Sequence, residues 1–378
     1  MDYELSDDQL ALQEAARALL DGECTTERVR QVAAGERHLD DALWKAMAEQ
    51  GWTAVEVPAE QGGLGFGLVE VAVLCEQLGR HLAPVPFLGT VLALGALSAA
   101  LDTGAVAPDA AVGADAVAGW LGRLAAGDAV GAVAWSAAAD AVTAHGEPDG
   151  AARLAGRADP VLYGPEADIV VVPARGADGT ACLYAVAAGE RRPAAEPAMD
   201  RTRSLAWMDF DATPAVALGG AGAAGALLDR AAAAASAEML GAAAAALEMT
   251  VQYAKDRVQF GRPIGSFQAV KHRCADMLVD VEGMRSAAYY AAWAVGAGAP
   301  DADAAASAAK VWCSDAARRV MASALQVHGG IGFTWEHDLH LFLKRSQLDQ
   351  VSFGDAPWHR ERLASLLRPR AERGEPVL

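Results

Sequence analysis

Four long helical stretches close the chain, and they limit what it can fold into more than any other feature. Helical periodicity runs from Ala223 to Arg257, from Ser266 to Val295, from Ala302 to His328 and again beyond Trp358. Alanine, the strongest helix former, is used heavily throughout, and its small side chain lets helices lie close together. Helices of this length joined by short connections predict a bundle.

The N-terminal third is helical too, in shorter pieces: Asp7 to Asp21, Asp40 to Gln50, Val69 to Gly79, Phe87 to Leu101 and Ala114 to Ala126. Between these and the bundle the texture changes to the β-rich runs AVAW, DIVVVPA, ACLYAVAA and LAWMDF, set apart by Gly, Pro and Asp clusters that suit turns. The expected fold class is mainly α with a small β domain. Its expected layout is an N-terminal helical domain over 1–128, a central antiparallel β domain over 129–213 and a C-terminal four-helix bundle over 214–378.

A chain of 378 residues can bury a large core without disulfides or metals. Its 31 basic and 49 acidic residues leave a net charge of −18, a field that repels nucleic acid and anionic membrane. The five cysteines (Cys24, Cys75, Cys182, Cys274, Cys313) show no CxxC or mixed Cys/His spacing and are expected to be reduced thiols. The acidic, amphipathic N-terminus fits neither a secretory signal nor a transit peptide, so the cytoplasm is the expected location. The uncharged run from Leu82 to Leu101 is broken by Pro84, Pro86, Gly89 and Gly95 and has no basic flank. It predicts a buried helix starting near Pro86 rather than a membrane span.

Chemistry can gather in three segments. The first is YAKDRVQFGRPIGSFQAVKHRCADM, Tyr253 to Met277. Helix stops there at a Phe-Gly turn, Pro263 delays its return, and Ser266 is placed to cap the next helix. Arg257, Gln259 and Gln268 gather around that turn. A guanidinium so placed suits a diphosphate, and Phe260 suits an adenine or flavin edge; equally, Arg257 could only tie the turn together. The second segment is QVHGGIGFTWEHDLHLFLKRS, Gln326 to Ser346, where Gly329, Gly330 and Gly332 end a helix and leave amides free to meet a ligand. Its histidines His328, His337 and His340 have no carboxylate or cysteine partner at ligand spacing and read as structural, with no metal site. In the third, Gly62, Gly63 and Gly65 form a loop ahead of a helix, by itself only a turn. Trp335 and Trp358 could line a pocket, although large aromatics near a bundle end more often pack.

Taken in this order, the three segments resemble the acyl-CoA dehydrogenase family over nearly the whole chain, most specifically through RVQFGRPIGSFQ with the following ADM and through QVHGGIGF. The resemblance implies an oxidoreductase with FAD as cofactor, an acyl-CoA or related thioester as substrate, and electron-transfer flavoprotein or oxygen as electron acceptor. It also implies that FAD lies where two chains meet. Arg257, Gln259, Phe260 and Gln268 would touch the adenine-diphosphate half of a cofactor held mainly by the neighbouring chain, with Gln326, Gly329 and Gly330 at the same end. In the family's reaction a base takes the α-proton of the thioester while the β-hydrogen leaves as hydride to the flavin.

The sequence departs from the family at the base. Phe353 stands at the usual Glu position and Ala231 near the second base site, and neither can accept a proton. Asp355 then becomes a candidate, in an extended loop that points it the same way as Phe353 at an offset of about 7 Å. Glu238, or Asp229 close to the second site, is another. The backbone amide of Phe353 can still donate to the thioester oxygen, since that needs no side chain. In AWSAAADAVTAHG, which matches the loop that holds the flavin ring, Ser136 alone offers a hydroxyl near the ring-contacting place. Some family members work as two different chains in one tetramer, and a kept adenine side beside a depleted ring side implies a chain that completes a partner's site. The expected activity is FAD-dependent α,β-dehydrogenation of an acyl-CoA or acyl-carrier thioester in fatty acid or secondary metabolism, by a homodimer or homotetramer or by a heterotetramer with a related chain. The alternatives are a non-catalytic partner subunit and a flavin monooxygenase or oxidase on the same fold.

Overall fold

The computed structural model describes residues 4–59, 62–106, 113–146, 152–189 and 192–374. Helix α1 (Asp7–Glu23) opens with a capping box between Ser6 and Gln9. It is followed by α2 (Thr26–Ala34), α3 (Asp41–Glu49), α4 (Leu68–His81), α5 (Phe87–Asp102) and α6 (Ala114–Ala125). α2 is a helix where periodicity predicted none, because its TERVRQVAA is only nine residues long and mostly polar, and it buries Val29 alone. Pro86 is the N-cap of α5, where the sequence placed the start of that helix. Among the described residues no helix is long and apolar enough to cross a membrane.

Six strands follow: β1 (Gly131–Val133), β2 (Val142–Gly146), β3 (Ala152–Leu162), β4 (Ile169–Arg175), β5 (Ala181–Ala187) and β6 (Leu205–Gly219). The sheet is mixed, which corrects the antiparallel expectation. β1 pairs in parallel with β4 from Gly131 opposite Ile169 to Val133 opposite Val171, and β2 meets β4 in parallel at Thr143 and Arg175. The other pairings, β2 with β3, β3 with β6, β6 with β5 and β5 with β4, are antiparallel. Parallel neighbours need a long crossover, and the chain from β1 to β4, with β2 and β3 inside it, supplies one. Together the pairings run β4–β5–β6–β3–β2 and back to β4, so the sheet closes on itself. β6 also continues through Pro214, where helix was expected to resume, up to Gly219.

The chain then forms α7 (Ala221–Asp256), the two-residue strands β7 (Val258–Gln259) and β8 (Arg262–Pro263), α8 (Gln268–Gly296), α9 (Ala302–His328), α10 (Leu339–Val351) and α11 (Ala356–Glu372). Contacts divide the molecule into two compact units. One is formed by the described residues within Met1–Gln31, Leu68–Ala83 and Ala232–Leu378, the other by those within Val32–Gly67 and Pro84–Ala231. In the second unit the sheet core is Leu154, Ala158, Val170, Val172, Val186 and Phe210. α5 lies directly on β1: the Gly131 N–H donates to Thr90 Oγ1 at 3.1 Å, and a Cβ on Gly131 would come within 3.0 Å of the Thr90 Cα. In the first unit α4 and α7 touch backbone to backbone, since a Cβ on Gly79 would overlap the Glu238 carbonyl oxygen and one on Gly241 that of Glu76. Glycine at both positions is a packing requirement.

Candidate functional site

The segment after α7 folds as a short hairpin. β7 and β8 pair Val258 with Pro263 and Gln259 with Arg262, and the turn residues Phe260 (φ 53) and Gly261 (φ 78) are both left-handed, as a two-residue hairpin of this twist demands. Main-chain bonds hold its base: the Arg257 N–H donates to Tyr253 O and the Ile264 N–H to Arg257 O, both at 2.8 Å. The Phe267 ring braces it from beneath, edge-on to Phe260 at 6.0 Å with the Arg262 guanidinium over it at 4.2 Å. Ser266 is not the cap of α8. It belongs to a 3-10 turn, and Phe267 is the N-cap with no side-chain bond. Phe260 at the tip is 91% exposed. The Gln259 side-chain amide donates to the Val258 carbonyl beside it at 2.8 Å, and Gln268 has its amide 3.4 Å from His272 Nε2. Arg257 is exposed, and its guanidinium makes no ion pair among the described residues. The turn is therefore tied by backbone and by Phe267 rather than by the Arg257 guanidinium.

The second segment is brought against the first. Tyr253, one turn before Arg257, stacks on His328 at 4.5 Å, the last residue of α9 and the one before Gly329. His337 closes the group edge-on, 4.6 Å from His328 and 6.4 Å from Tyr253. Burial holds the pKa values of His328 and His337 below the ordinary imidazole range, so both rings are neutral at pH 7 and stack as aromatics. Among the described residues no group of His, Cys, Asp and Glu is arranged to hold a metal ion. Gln326 is exposed on the last turn of α9. Gly329 (φ 63, ψ −141) has a conformation reserved for glycine. Gly330 differs: its φ is ordinary and a Cβ there would meet nothing within 4 Å. The fold does not require a glycine at 330. Ile331, Phe333 and Trp335 just beyond are exposed, and the Arg30 guanidinium fixes this loop on Asp338 Oδ1 and Trp335 O, each at 2.7 Å.

The acids lie in less promising places. The turn between α10 and α11 is not extended, as the case for Asp355 assumed, because Phe353 (φ 57) and Gly354 (φ 96) are both left-handed. Asp355 is the exposed N-cap of α11, its carboxylate accepting the Trp358 N–H at 2.9 Å. Trp358 packs on Gly354. Glu238 is 2% exposed and ion-paired at 3.2 Å with Arg345, itself fully buried. Asp229 and Ala231 are also buried. Beneath the turn lie two titratable groups that the sequence reading passed over, Lys310 and His359, each fully buried. The lysine was detectable in principle, since Ala306, Lys310, Cys313 and Ala317 share one face of α9 and its neighbours there are all buried.

Ser136 lies in the other unit, in the loop after β1. Its Oγ accepts the Asp159 N–H at 2.9 Å, and the Asp159 carboxylate returns a bond to the Ala137 N–H at 3.1 Å, so the hydroxyl braces its loop against β3. The loop of Gly62, Gly63 and Gly65 is a packed turn, where a Cβ on Gly63 would overlap the Val57 carbonyl.

Comparison with known proteins gives this arrangement a family. The model of the acyl-CoA dehydrogenase N-terminal domain matches residues 6–106, and that of the C-terminal domain matches residues 219–367. The acyl-CoA dehydrogenase IpdE2 of Mycolicibacterium smegmatis is 35% identical over 344 residues, covering 90% of this chain and 93% of that protein. Among solved structures, a variant of the Tcur3481-Tcur3483 steroid ACAD aligns with a TM-score of 0.87 at 31% identity, over 97% of this chain and 99% of that one. The ChsE4-ChsE5 complex of Mycobacterium tuberculosis aligns with the same TM-score at 30% identity, again over 97% and 99%. The chain belongs to the acyl-CoA dehydrogenase family. It is thus an oxidoreductase of a class whose cofactor is FAD.

Proposed function

We propose that this chain is one of two related chains that together carry out FAD-dependent α,β-dehydrogenation of an acyl-CoA thioester, and that it supplies the adenine-diphosphate side of the cofactor site while the other chain supplies the base. The observation that carries this reading is the Arg257 hairpin. A guanidinium with no ion pair among the described residues and an almost wholly exposed Phe260 stand in the segment that packs, through Tyr253 on His328, against the one carrying Gly330, a glycine the fold itself does not need. On this reading Arg257 pairs with the diphosphate, Phe260 and Gln259 face the adenine end, and Gln268, Gln326 and the amides of Gly329 and Gly330 complete the contact. Bound FAD supplies the hydride acceptor for the β-hydrogen.

The chain's own residues argue against a base here. Phe353 cannot take a proton, Asp355 spends its carboxylate on a helix cap, and Glu238 is locked to a buried arginine. Two solved relatives bear paired names, one of them a complex of ChsE4 with ChsE5, which supports pairing with a related chain. The steroid in the other's name makes a steroid thioester the first substrate to try.

The test is to purify the chain alone and together with a related, Glu-bearing chain, each with added FAD. The expected result is a colourless chain alone and a yellow assembly that oxidises the thioester. A yellow, active preparation of this chain by itself would overturn the division of labour.

A further inference from the structure

The hairpin and the glycine turn meet through three rings whose hydrogen bonds fix where each imidazole carries its proton. Tyr253, half-buried in the last turn of α7, takes the Arg257 N–H on its own carbonyl at 2.8 Å, and the Arg257 carbonyl in turn takes the Ile264 N–H at the base of the hairpin. The Tyr253 ring stacks on His328 at 4.5 Å with 23° between the planes. The chain after α9 closes tightly over that histidine, since a Cβ on Gly332 would come within 3.1 Å of the His328 Cβ. Hairpin, stack and glycine turn are thus linked in series.

Both imidazoles are bonded as neutral rings. His328 Nδ1 lies 2.8 Å from the Ala324 carbonyl oxygen, which can only accept, so Nδ1 carries the proton. Its Nε2 is buried and has no partner among the described residues, so a second proton there would find no acceptor. His337 is bonded the other way round. The Leu339 N–H, which can only donate, lies 3.1 Å from its Nδ1, so that nitrogen is bare and the proton sits on Nε2. A second proton on Nδ1 would face the Leu339 N–H and break the bond at the first residue of α10.

The surroundings act in the same sense. The two rings lie 4.6 Å apart, so a positive charge on one opposes a charge on the other. Burial lowers both pKa values; for His337 the Arg30 guanidinium of α2 adds to the effect, and Asp338, the N-cap of α10, opposes it. Tyr253 of α7 is the other titratable group against both rings.

We propose that His328 and His337 are positioning residues for the FAD contact: as neutral rings they hold Tyr253, and with it the Arg257 hairpin, in register with Gly329 and Gly330, and the contact loosens when they take up protons. The proposal rests on the reading that these two segments meet FAD. The histidines act through Tyr253 and need touch neither FAD nor substrate. Each ring has an ordinary pKa of 6.5 when the stack is open and a lower one when it is closed, so the closed form is fully favoured above pH 6.5 and loses ground as the pH falls. From pH 7.5 to pH 5.5 the opening equilibrium gains about tenfold for each ring that stays neutral while closed.

The experiment has two readouts. One is amide-exchange protection across residues 257–268 in the full chain, corrected for intrinsic rates; the other is FAD retention by the assembly with the related chain, read by equilibrium dialysis. With the fold intact by circular dichroism, protection and retention are both expected to fall by about tenfold or more from pH 7.5 to pH 5.5. His328→Phe stacks without titrating, and the side-chain oxygen of His337→Asn can still take the Leu339 N–H. Together they should retain FAD within about twofold of the natural chain at pH 7.5 and cut the fall at pH 5.5 to less than about threefold. His359 stays in place in that double variant, so its own acid effect on global stability cannot produce the difference. His328→Ala should weaken retention by roughly fivefold at pH 7.5, the worth of one aromatic pair. A pH dependence unchanged in the double variant, or natural protection in His328→Ala, would overturn the proposal. Should the variants fail to fold, the natural chain decides, since protection equal at the two pH values would also overturn it. Failure of the cofactor reading shows differently, as protection that falls with pH and recovers in the double variant while FAD retention is indifferent to Arg257→Ala.

Discussion

Arg257 can be tested for binding without disturbing the fold, because its guanidinium is exposed and makes no ion pair among the described residues. Arg257→Ala should leave the melting temperature close to that of the natural chain, since exposed substitutions of this kind usually change stability by less than about 0.5 kcal/mol. The same change should weaken FAD retention by roughly tenfold to a hundredfold, the loss of a charge-assisted contact of about 1.5–3 kcal/mol. Equilibrium dialysis of the assembled protein reads the second number; FAD retained at natural strength would remove Arg257 from the cofactor site. The two candidate acids separate in the opposite way. Asp355→Asn should leave flavin bleaching by the thioester undiminished, as a helix cap would. Glu238→Ala should cost about 3–5 kcal/mol in denaturant unfolding, because it removes one partner of a buried ion pair. At this scale the sequence disclosed composition better than environment. That Phe353 and Ala231 cannot take a proton is plain from their identities. That Glu238 is bonded to Arg345, more than a hundred positions later, depends on the packing of α7 against α10.

At the scale of elements, legibility followed pattern strength. α7, α8 and α9 could be read from periodicity because each is long and buries a continuous apolar face. β2 and β3 escaped notice: VTAHG and ARLAGRADPVL mix polar residues with small ones, and they hold as strands through their neighbours in the ring rather than through their own propensity. α10 escaped for a different reason. Its LHLFLKRSQLDQV is short, and it buries Arg345, Ser346 and Asp349 beside its leucines, which blurs the stripe that would mark its inner face. The contact of α9 with α11 yields a prediction on pH. His359 has its pKa lowered from 6.5 to about 4, chiefly by burial, with Lys310 and Arg362 adding to the effect and the Phe353 carbonyl opposing it. Between those values the unfolded chain binds a proton that the folded chain refuses, so stability is fully present above pH 6.5 and falls as the pH drops toward 4. The loss approaches about 3 kcal/mol across that window. His359→Gln, which can still donate to Phe353 O, should flatten this slope relative to the natural chain in urea melts taken from pH 7 to pH 4.5. An unchanged slope would mean that His359 is protonated or solvated in the folded state.

For the whole molecule, the decisive quantity is how many flavins the assembly holds. Val258, Phe260, Val279, Phe333 and Trp335 are all more than half exposed, and all belong to the unit that carries the Arg257 hairpin. On the proposed reading, apolar surface of this kind is what the related chain would cover. A net charge of −18 sets the conditions, because two copies of this chain repel each other whereas a less acidic relative is met at lower cost. If every cofactor needs the adenine side from this chain and the base from its relative, each pair of unlike chains holds one FAD. A homo-oligomer that completed its own sites would hold one FAD for every chain. The ratio of flavin absorbance to chain mass in the purified assembly, with the mass from sedimentation, distinguishes these outcomes without any knowledge of the substrate. Phe260→Ser should lower both association and flavin content together, since the exposed ring at the hairpin tip is asked to serve the interface and the adenine end at once. Loss of flavin from an assembly that stays intact would confine Phe260 to the cofactor, and loss of neither would mean that the hairpin faces solvent.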